Sequence, residues 1–229
     1  MSMTRPEPTS RTTGPGGPRR TRASRLERMS LAKRQRAALC DLMAELGPTA
    51  PTRCLGWDVA DLAAHMWVRE HRPSALPGIG VARFARRTQR IQDEALRTRG
   101  FNSLVTDLRR PGWVMLPLDH IVNAVEFFIH HEDVLRANGR HQVMSATEQA
   151  ELWRTARVLA LKAQHAWGGR LRISPIGGRP IGIGQGDRPV NLHGHPSELL
   201  LFLSGRRANV TVTAEPEAAK ALVEAIGSL

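Results

Sequence analysis

The sequence has no tyrosine and only two cysteines, Cys40 and Cys54, among its 229 residues. Two cysteines cannot build a disulfide framework, and their scarcity favours a reducing compartment. No uncharged apolar run reaches the roughly 18 residues that a membrane-spanning helix needs, and no apolar segment follows the charged N-terminus. We therefore expect neither a membrane span nor a secretory signal, and we expect a cytoplasmic protein.

The net charge of +12 raises the question of a nucleic-acid partner. Residues 1–28 contain seven arginines and two glutamates, so this segment alone carries +5 of that charge. The remaining charge is spread over the rest of the chain without the interleaved aromatic residues on which single-stranded nucleic acids stack. We therefore do not expect a nucleic-acid partner, and no membrane partner is expected either.

Composition divides the chain into three parts. Residues 1–28 are rich in Arg, Pro, Gly, Ser and Thr and contain too few apolar residues to offset the entropy of ordering, so we expect a disordered tail. Translation from Met29 instead of Met1 is an alternative that intact-mass measurement would decide. Residues 29–169 are expected to form a helical domain, and residues 170–229 a small α+β module.

Apolar residues recur at three- and four-residue spacing through the first of these folded parts. This pattern predicts helices over 31–46, 59–70, 81–97, 118–137 and 146–167, with Asp58 as the N-cap of the second. After Gly169, β-branched segments punctuated by Gly and Pro predict strands over 171–176, 180–184, 188–193 and 208–213, and helices over 196–204 and 215–226. The predicted fold class is mostly α, a helical bundle followed by the α+β module.

Glu126 and His130 are the most informative residues of the fourth predicted helix. Their four-residue spacing places them on one face, one turn apart, within an apolar surface where an unpaired carboxylate or imidazole costs several kcal/mol. A metal ion would satisfy both groups, but a catalytic zinc site uses three protein ligands and one open position. His65, on the inward side of the second helix, is the candidate third ligand, and Asp133 could orient an imidazole from outside the ligand set.

Alternatives to this metal site stay open at the level of sequence. His65, Glu126 and His130 could simply be hydrogen-bonded groups of the core, and the His130-His131 doublet leaves open which imidazole faces inward. Weaker candidates for a functional site are a metal pair at His193 and His195 and a Cys40 or Cys54 nucleophile without an identifiable base. The glycine-rich segment 182–186 is expected to be a turn between strands and not a phosphate-binding loop. The stripe formed by Arg83, Arg86, Arg87, Arg90 and Arg97 is expected to be a solvated face rather than an anion-binding surface.

Three segments resemble the mycothiol-dependent maleylpyruvate isomerase family of the DinB-like four-helix-bundle superfamily. Residues 54–65 (CLGWDVADLAAH) are similar to its pattern GW-x-V-x-DL-x-x-H. Glu126, His130, His131 and Asp133 match its pattern E-x-x-x-HH-x-D, and residues 196–206 (PSELLLFLSGR) match P-x-ELLL-x-L-x-GR. The matched segments are distributed over most of residues 29–229.

This resemblance implies an up-down bundle of the DinB-like type holding a divalent metal ion, with zinc the expected ion, on His65, Glu126 and His130. It also implies a low-molecular-weight thiol, mycothiol, as co-substrate and a small electrophile as substrate. The expected function is therefore a thiol-dependent transferase or isomerase-like enzyme. A non-enzymatic metal- or ligand-responsive binding protein on the same scaffold is the alternative. No residue identifies maleylpyruvate itself as the substrate, and the oligomeric state is left open.

Overall fold

The fold is given by a computed structural model, of which we describe residues 30–72, 85–112, 122–187 and 189–227. These residues are mostly helical, with a small four-stranded sheet near the C-terminus. The helices are α1 (Leu31–Leu46), α2 (Val59–His71), α3 (Ala85–Arg99), α4 (Phe101–Leu108), α5 (Val122–Ala137), α6 (Ala146–Trp167), α7 (Pro196–Leu203) and α8 (Pro216–Gly227). The strands are β1 (Leu171–Pro175), β2 (Ile181–Ile183), β3 (Val190–Gly194) and β4 (Thr211–Thr213).

The first five helices pack around a shared core. Helix α1 lies along α5, and α2 packs against α3 and α4. The core side chains come from all five helices and include Leu39, Met43, Leu62, Met66, Ala95, Leu104, Leu108, Phe127 and Val134. The predicted bounds of α1 are confirmed, and the predicted second helix is confirmed with one further residue.

The sequence pattern does not predict helix α4. The third predicted helix, 81–97, was expected to end before Gly100, whereas α3 runs to Arg99 and Gly100 then becomes the N-cap of α4 with φ 75°. Glycine adopts this left-handed conformation without steric cost, so the chain turns between two helices with a single residue. Residues 81–84 lie outside the described part of the chain.

The C-terminal sheet has the strand order β2-β1-β3-β4. Strands β1 and β2 are antiparallel, β1 and β3 are parallel, and β3 and β4 are antiparallel. In the parallel pair Leu171 aligns with Val190 and Ile173 with Leu192, and all four side chains are buried. Alternation of buried and more exposed residues along β1 and β3 turns one face of the sheet to a core.

Helix α6 joins the helical part to this sheet. Its buried face, Leu152, Ala156, Ala160 and Ala163, belongs to the core formed by the sheet, α7 and α8. Leu31 of α1 and Phe128 of α5 belong to that same core. The predicted boundary at residue 169 therefore falls between two elements that pack together.

Some sequence-based expectations lie outside the described residues. They concern the tail 1–28, the start at Met29, and residues 118–121 of the predicted fourth helix. Among the helices that are described, none combines the length and apolarity needed to cross a bilayer.

Candidate metal centre

The three side chains predicted as metal ligands converge at one point between two helices. His65 extends from α2, while Glu126 and His130 extend from successive turns of α5. One ligand atom from each residue lies within 4.8 Å of the other two. His130 Nε2 and Glu126 Oε2 are 3.6 Å apart, and the two imidazole rings meet edge to face with centroids 5.6 Å apart.

These donors fit a divalent ion of the zinc type. Zinc binds histidine nitrogen and carboxylate oxygen at about 2.0 to 2.2 Å, so neighbouring ligand atoms of a tetrahedral site lie about 3.3 to 3.5 Å apart. The separation of 3.6 Å between His130 Nε2 and Glu126 Oε2 is close to that value. Two histidines and one glutamate form a known catalytic zinc donor set, which leaves a fourth position for water or substrate.

His65 is positioned by the way in which α2 begins and packs. Asp58 accepts from the Asp61 amide, and the Asp61 side chain accepts from the Asp58 amide, which completes a capping box. Leu62 and Met66 anchor the same side of the helix in the core, so His65 is only 8% exposed. The buried Gln92 amide lies 3.0 Å from His65 Nδ1. A half-turn of this amide exchanges its oxygen and nitrogen, so Gln92 can serve either tautomer of His65.

His130 is oriented by Asp133, which lies one turn further along α5. The two side chains approach to 3.1 Å between His130 Nδ1 and Asp133 Oδ2, and both are buried. An Nδ1–H bond to this carboxylate leaves Nε2 facing Glu126, the arrangement by which proteins orient metal-binding imidazoles. The role predicted for Asp133 from the sequence is thus compatible with its contacts.

The protonation states of the three groups differ because their surroundings differ. Burial, together with the nearby His130, lowers the pKa of His65 to about 3, so His65 is a neutral imidazole. Burial would lower the pKa of His130 as well, but its contacts with Asp133, Cys54 and Glu126 raise it well above 6.5. Ion binding at Nε2 must therefore displace a proton from His130.

Glu126 is ionised and held between two cationic groups. Burial alone would raise its pKa, but the contact with His130 and the Arg69 guanidinium lower it to about 2. Arg69 Nε lies 3.8 Å from the same carboxylate oxygen that faces His130. The Glu126 side chain retains 34% exposure, so part of this carboxylate remains hydrated. The glutamate is therefore available as an anionic ligand.

A cavity of about 750 Å³ opens beside these residues. Its walls come from the loop before α2, from α2 and α5, and from the segment around the end of α7. They include Trp57, His65, His130, Asp133, Leu201, Gly205, Arg206 and Arg207. Drug-sized ligands occupy cavities of roughly 300 to 1,000 Å³, so this one accommodates a small molecule next to the proposed ligands.

Cys54 is a site residue whose environment the sequence did not reveal. Its Sγ lies 3.4 Å from Asp133 Oδ2 and 3.7 Å from His130 Nδ1. The loop that carries it is tied to α5, because the Arg53 amide donates to the Asp133 carbonyl at 3.1 Å. Only the tertiary fold brings residues 54 and 130 together, although the resemblance had already placed Cys54 in a matched segment.

The other sequence candidates do not join this site. His193 and His195 are exposed, and His193 Nδ1 contacts the Ser174 carbonyl at 2.9 Å. His131 is buried and contacts Gln35 at 2.8 Å, so His130 is the histidine of the doublet that reaches the cluster.

The glycine-rich segment 182–186 forms the end of β2 and the turn after it, as expected. Arg86, Arg87, Arg90 and Arg97 are exposed on α3, in agreement with a solvated face. Arg83 lies outside the described residues.

Comparison of the chain with protein-family models, with curated proteins and with solved structures finds no significant match.

Proposed function

We propose that the protein is a divalent-metal-dependent enzyme that activates a low-molecular-weight thiol for transfer to, or isomerisation of, a small electrophile. The observation that carries this proposal is the convergence of His65, Glu126 and His130, two of which line a cavity large enough for a substrate. Three protein ligands leave one coordination position for an incoming group.

The resemblance to the mycothiol-dependent maleylpyruvate isomerase family supports the same proposal. It implies zinc, a DinB-like bundle and mycothiol, and it was drawn from segments far apart in the chain. Those segments supply His65 on α2, Glu126 and His130 on α5, and Arg206 at the cavity. A match by chance would give no reason for such segments to meet at one cavity.

The proposed chemistry divides between the ion and the protein. A bound divalent ion would lower the pKa of a coordinated thiol enough to release its proton. Gln92 and Asp133 hold the two imidazoles in place, and Glu126 contributes negative charge to the centre. Arg53, Arg206 and Arg207 line the same cavity, which favours an electrophile that carries an anionic group.

Metal analysis of the purified protein tests the site directly. The measurement is made in a Cys54→Ser background, so that the neighbouring thiol cannot hold the ion. We expect about one equivalent of zinc in this parent and a large loss when His65→Ala, Glu126→Ala or His130→Ala is added. His141→Ala is the matched control, because His141 is exposed and belongs to no candidate ligand group among the described residues. Metal content unchanged in all three ligand variants would refute the site. Loss of thiol conjugation in the same variants would link the metal to activity.

A non-enzymatic role on the same scaffold is the second candidate. It is favoured by the fact that the ligands come from α2 and α5, so a bound ion would cross-link two helices of the bundle. A ligand present at 100 times its dissociation constant stabilises a fold by about 2.7 kcal/mol. Thermal unfolding with and without chelator, combined with titration of mycothiol, separates the two roles. Strong stabilisation by metal without thiol binding would favour the structural role.

A further inference from the structure

Cys54, His130 and Asp133 form a second cluster of possible metal ligands beside the first. The three separations are 3.1 Å for His130 Nδ1 to Asp133 Oδ2, 3.4 Å for Cys54 Sγ to Asp133 Oδ2, and 3.7 Å for Cys54 Sγ to His130 Nδ1. All three residues line the cavity of about 750 Å³. A thiol, an imidazole and a carboxylate therefore face one another at the edge of an accessible space.

These separations match the edges of a tetrahedral coordination site. With sulfur bound at about 2.3 Å and nitrogen or oxygen at about 2.0 to 2.2 Å, a tetrahedral ion separates sulfur from either by about 3.6 Å, and nitrogen from oxygen by about 3.4 Å. Each of the three separations in the protein lies within about 0.3 Å of these values. The cluster could thus receive an ion with only small adjustments of its side chains.

The loop that carries Cys54 is held in place before any ion binds. The Cys54 amide donates to Thr52 Oγ1 at 3.1 Å, and Thr52 Oγ1 donates to the Trp57 carbonyl at 2.8 Å. The Arg53 amide donates to the carbonyl of Asp133 itself at 3.1 Å. This last bond links the backbones beside two of the ligands, so little chain entropy is lost when the ion binds.

The cysteine sulfur selects the kind of ion that this cluster prefers. Arg206 Nη2 lies 3.4 Å from Asp133 Oδ2, the oxygen that also faces His130 and Cys54. Arg69 stands in the same way beside Glu126 in the first cluster, at 3.8 Å, so a neighbouring cation disfavours ion binding at both clusters and only the sulfur distinguishes them. Thiophilic ions gain a metal–thiolate bond here that offsets the repulsion.

From these contacts we infer that Cys54, His130 Nδ1 and Asp133 form a second binding site, for a thiophilic divalent ion, which competes with the site formed by His65, Glu126 and His130 Nε2. Binding at the new site releases the thiol proton of Cys54 and the Nδ1 proton of His130, and the other ring proton stays on Nε2. Binding at the first site instead releases the Nε2 proton and leaves the ring proton on Nδ1. A neutral imidazole offers only one lone pair at a time, so one ion excludes the other.

Titration of the metal-free, full-length protein with Cd²⁺ tests this inference through the ultraviolet charge-transfer absorbance of a cadmium–thiolate bond. We expect the band to saturate at one equivalent in the wild type and to be absent in Cys54→Ser. In Cys54→Ser the affinity of this cluster for Cd²⁺ should fall at least as far as metal affinity falls when a hydrogen-bond partner of a ligand is removed, which is roughly 10- to 100-fold. A wild type without the band, or Cys54→Ser with it, would overturn the inference.

The second cysteine supplies a matched control. Cys40 is fully buried, and burial raises the pKa of its thiol to about 11, so it is a poor competitor for metal. Cys40→Ala should retain the absorbance band. Loss of the band in a folded Cys40→Ala protein would assign the sulfur to Cys40 and would refute the Cys54 site. If Cys40→Ala does not fold, the contrast between wild type and Cys54→Ser decides the question alone.

Two further measurements separate this inference from the proposed function; only the competition between the two sites rests on the metal site proposed there. His65→Ala removes a ligand of the first site only, so its cadmium–thiolate band should persist; His65→Gln serves if the alanine variant does not fold. Excess Mn²⁺, a harder ion, should reduce the band of the wild type by occupying the first site. Saturation at two equivalents, or a band insensitive to Mn²⁺, would refute the competition between the sites.

Discussion

The contact between Asp133 and His130 allows a sharp test of the proposed metal centre. Asp133 is 2% exposed, and its Oδ2 lies 3.1 Å from His130 Nδ1. Asp133→Asn keeps the shape of the side chain and an oxygen that can accept from Nδ1–H, but it removes the negative charge. Loss of such a partner typically lowers metal affinity by about 10- to 100-fold, or roughly 1.4 to 2.7 kcal/mol.

Two features of the structure bear on where the effect falls within that range. The burial of Asp133 strengthens the interaction, because water does not screen the charge. Arg206, at 3.4 Å from the same oxygen, already neutralises part of that charge and so reduces the loss. Asp133→Ala removes both the charge and the acceptor, so its affinity should be lower than that of Asp133→Asn.

The assay is zinc competition against a chromophoric chelator, performed in a Cys54→Ser background so that sulfur takes no part. Asp41→Asn is the matched control, since Asp41 is an exposed aspartate whose partner is Arg109. This control should leave zinc affinity unchanged. An Asp133→Asn protein that binds zinc as tightly as its parent would refute the argument that Asp133 prepares His130 as a ligand.

Two further predictions follow from other buried charges. Because the folded-state pKa of His130 is raised, zinc affinity should rise about tenfold per pH unit up to that pKa and then level off; a zinc affinity independent of pH would contradict this. Protonated His130 also stabilises the metal-free fold, and this stabilisation is complete below about pH 6.5 and is lost as pH rises through the folded-state pKa. Glu70 is fully buried and accepts from Arg36 at 3.2 Å and from the Gly112 amide at 2.7 Å. Glu70→Gln should therefore lower the free energy of unfolding in urea by about 3 to 5 kcal/mol. The exposed control Glu45→Gln should leave the urea midpoint unchanged. Equal midpoints for Glu70→Gln and Glu45→Gln would show that the buried pair contributes nothing.

Local pattern was sufficient to predict much of the secondary structure. The bounds predicted for α1 and α6 agree with the structure because both helices carry an apolar stripe and end at glycine. The cap at Asp58 was also readable, since a short acidic side chain preceding an apolar helix commonly accepts from its first turn. Helix α4 could not be predicted, because its eight residues provide too little periodicity.

The ligands of the proposed metal centre could be predicted from the sequence to different degrees. Glu126 and His130 share a helix face through their spacing alone, and His65 was recognised as inward-facing from the apolar residues around it. Gln92 and Arg69 were not identified, because their roles depend on how α3 and α5 lie against α2. The metal ion itself stays a prediction.

The sequence by itself therefore determined most of the helices, the approximate positions of the strands and the pairing of Glu126 with His130, since these depend on residues a few positions apart. Tertiary structure decided everything that depends on contacts between distant segments. It brought Cys54 to within 3.7 Å of His130 and placed Arg206 beside Asp133, across separations of 76 and 73 residues. It also packed α6 on the C-terminal sheet. Such contacts arise from the packing of whole helix and sheet faces, and no local periodicity encodes them.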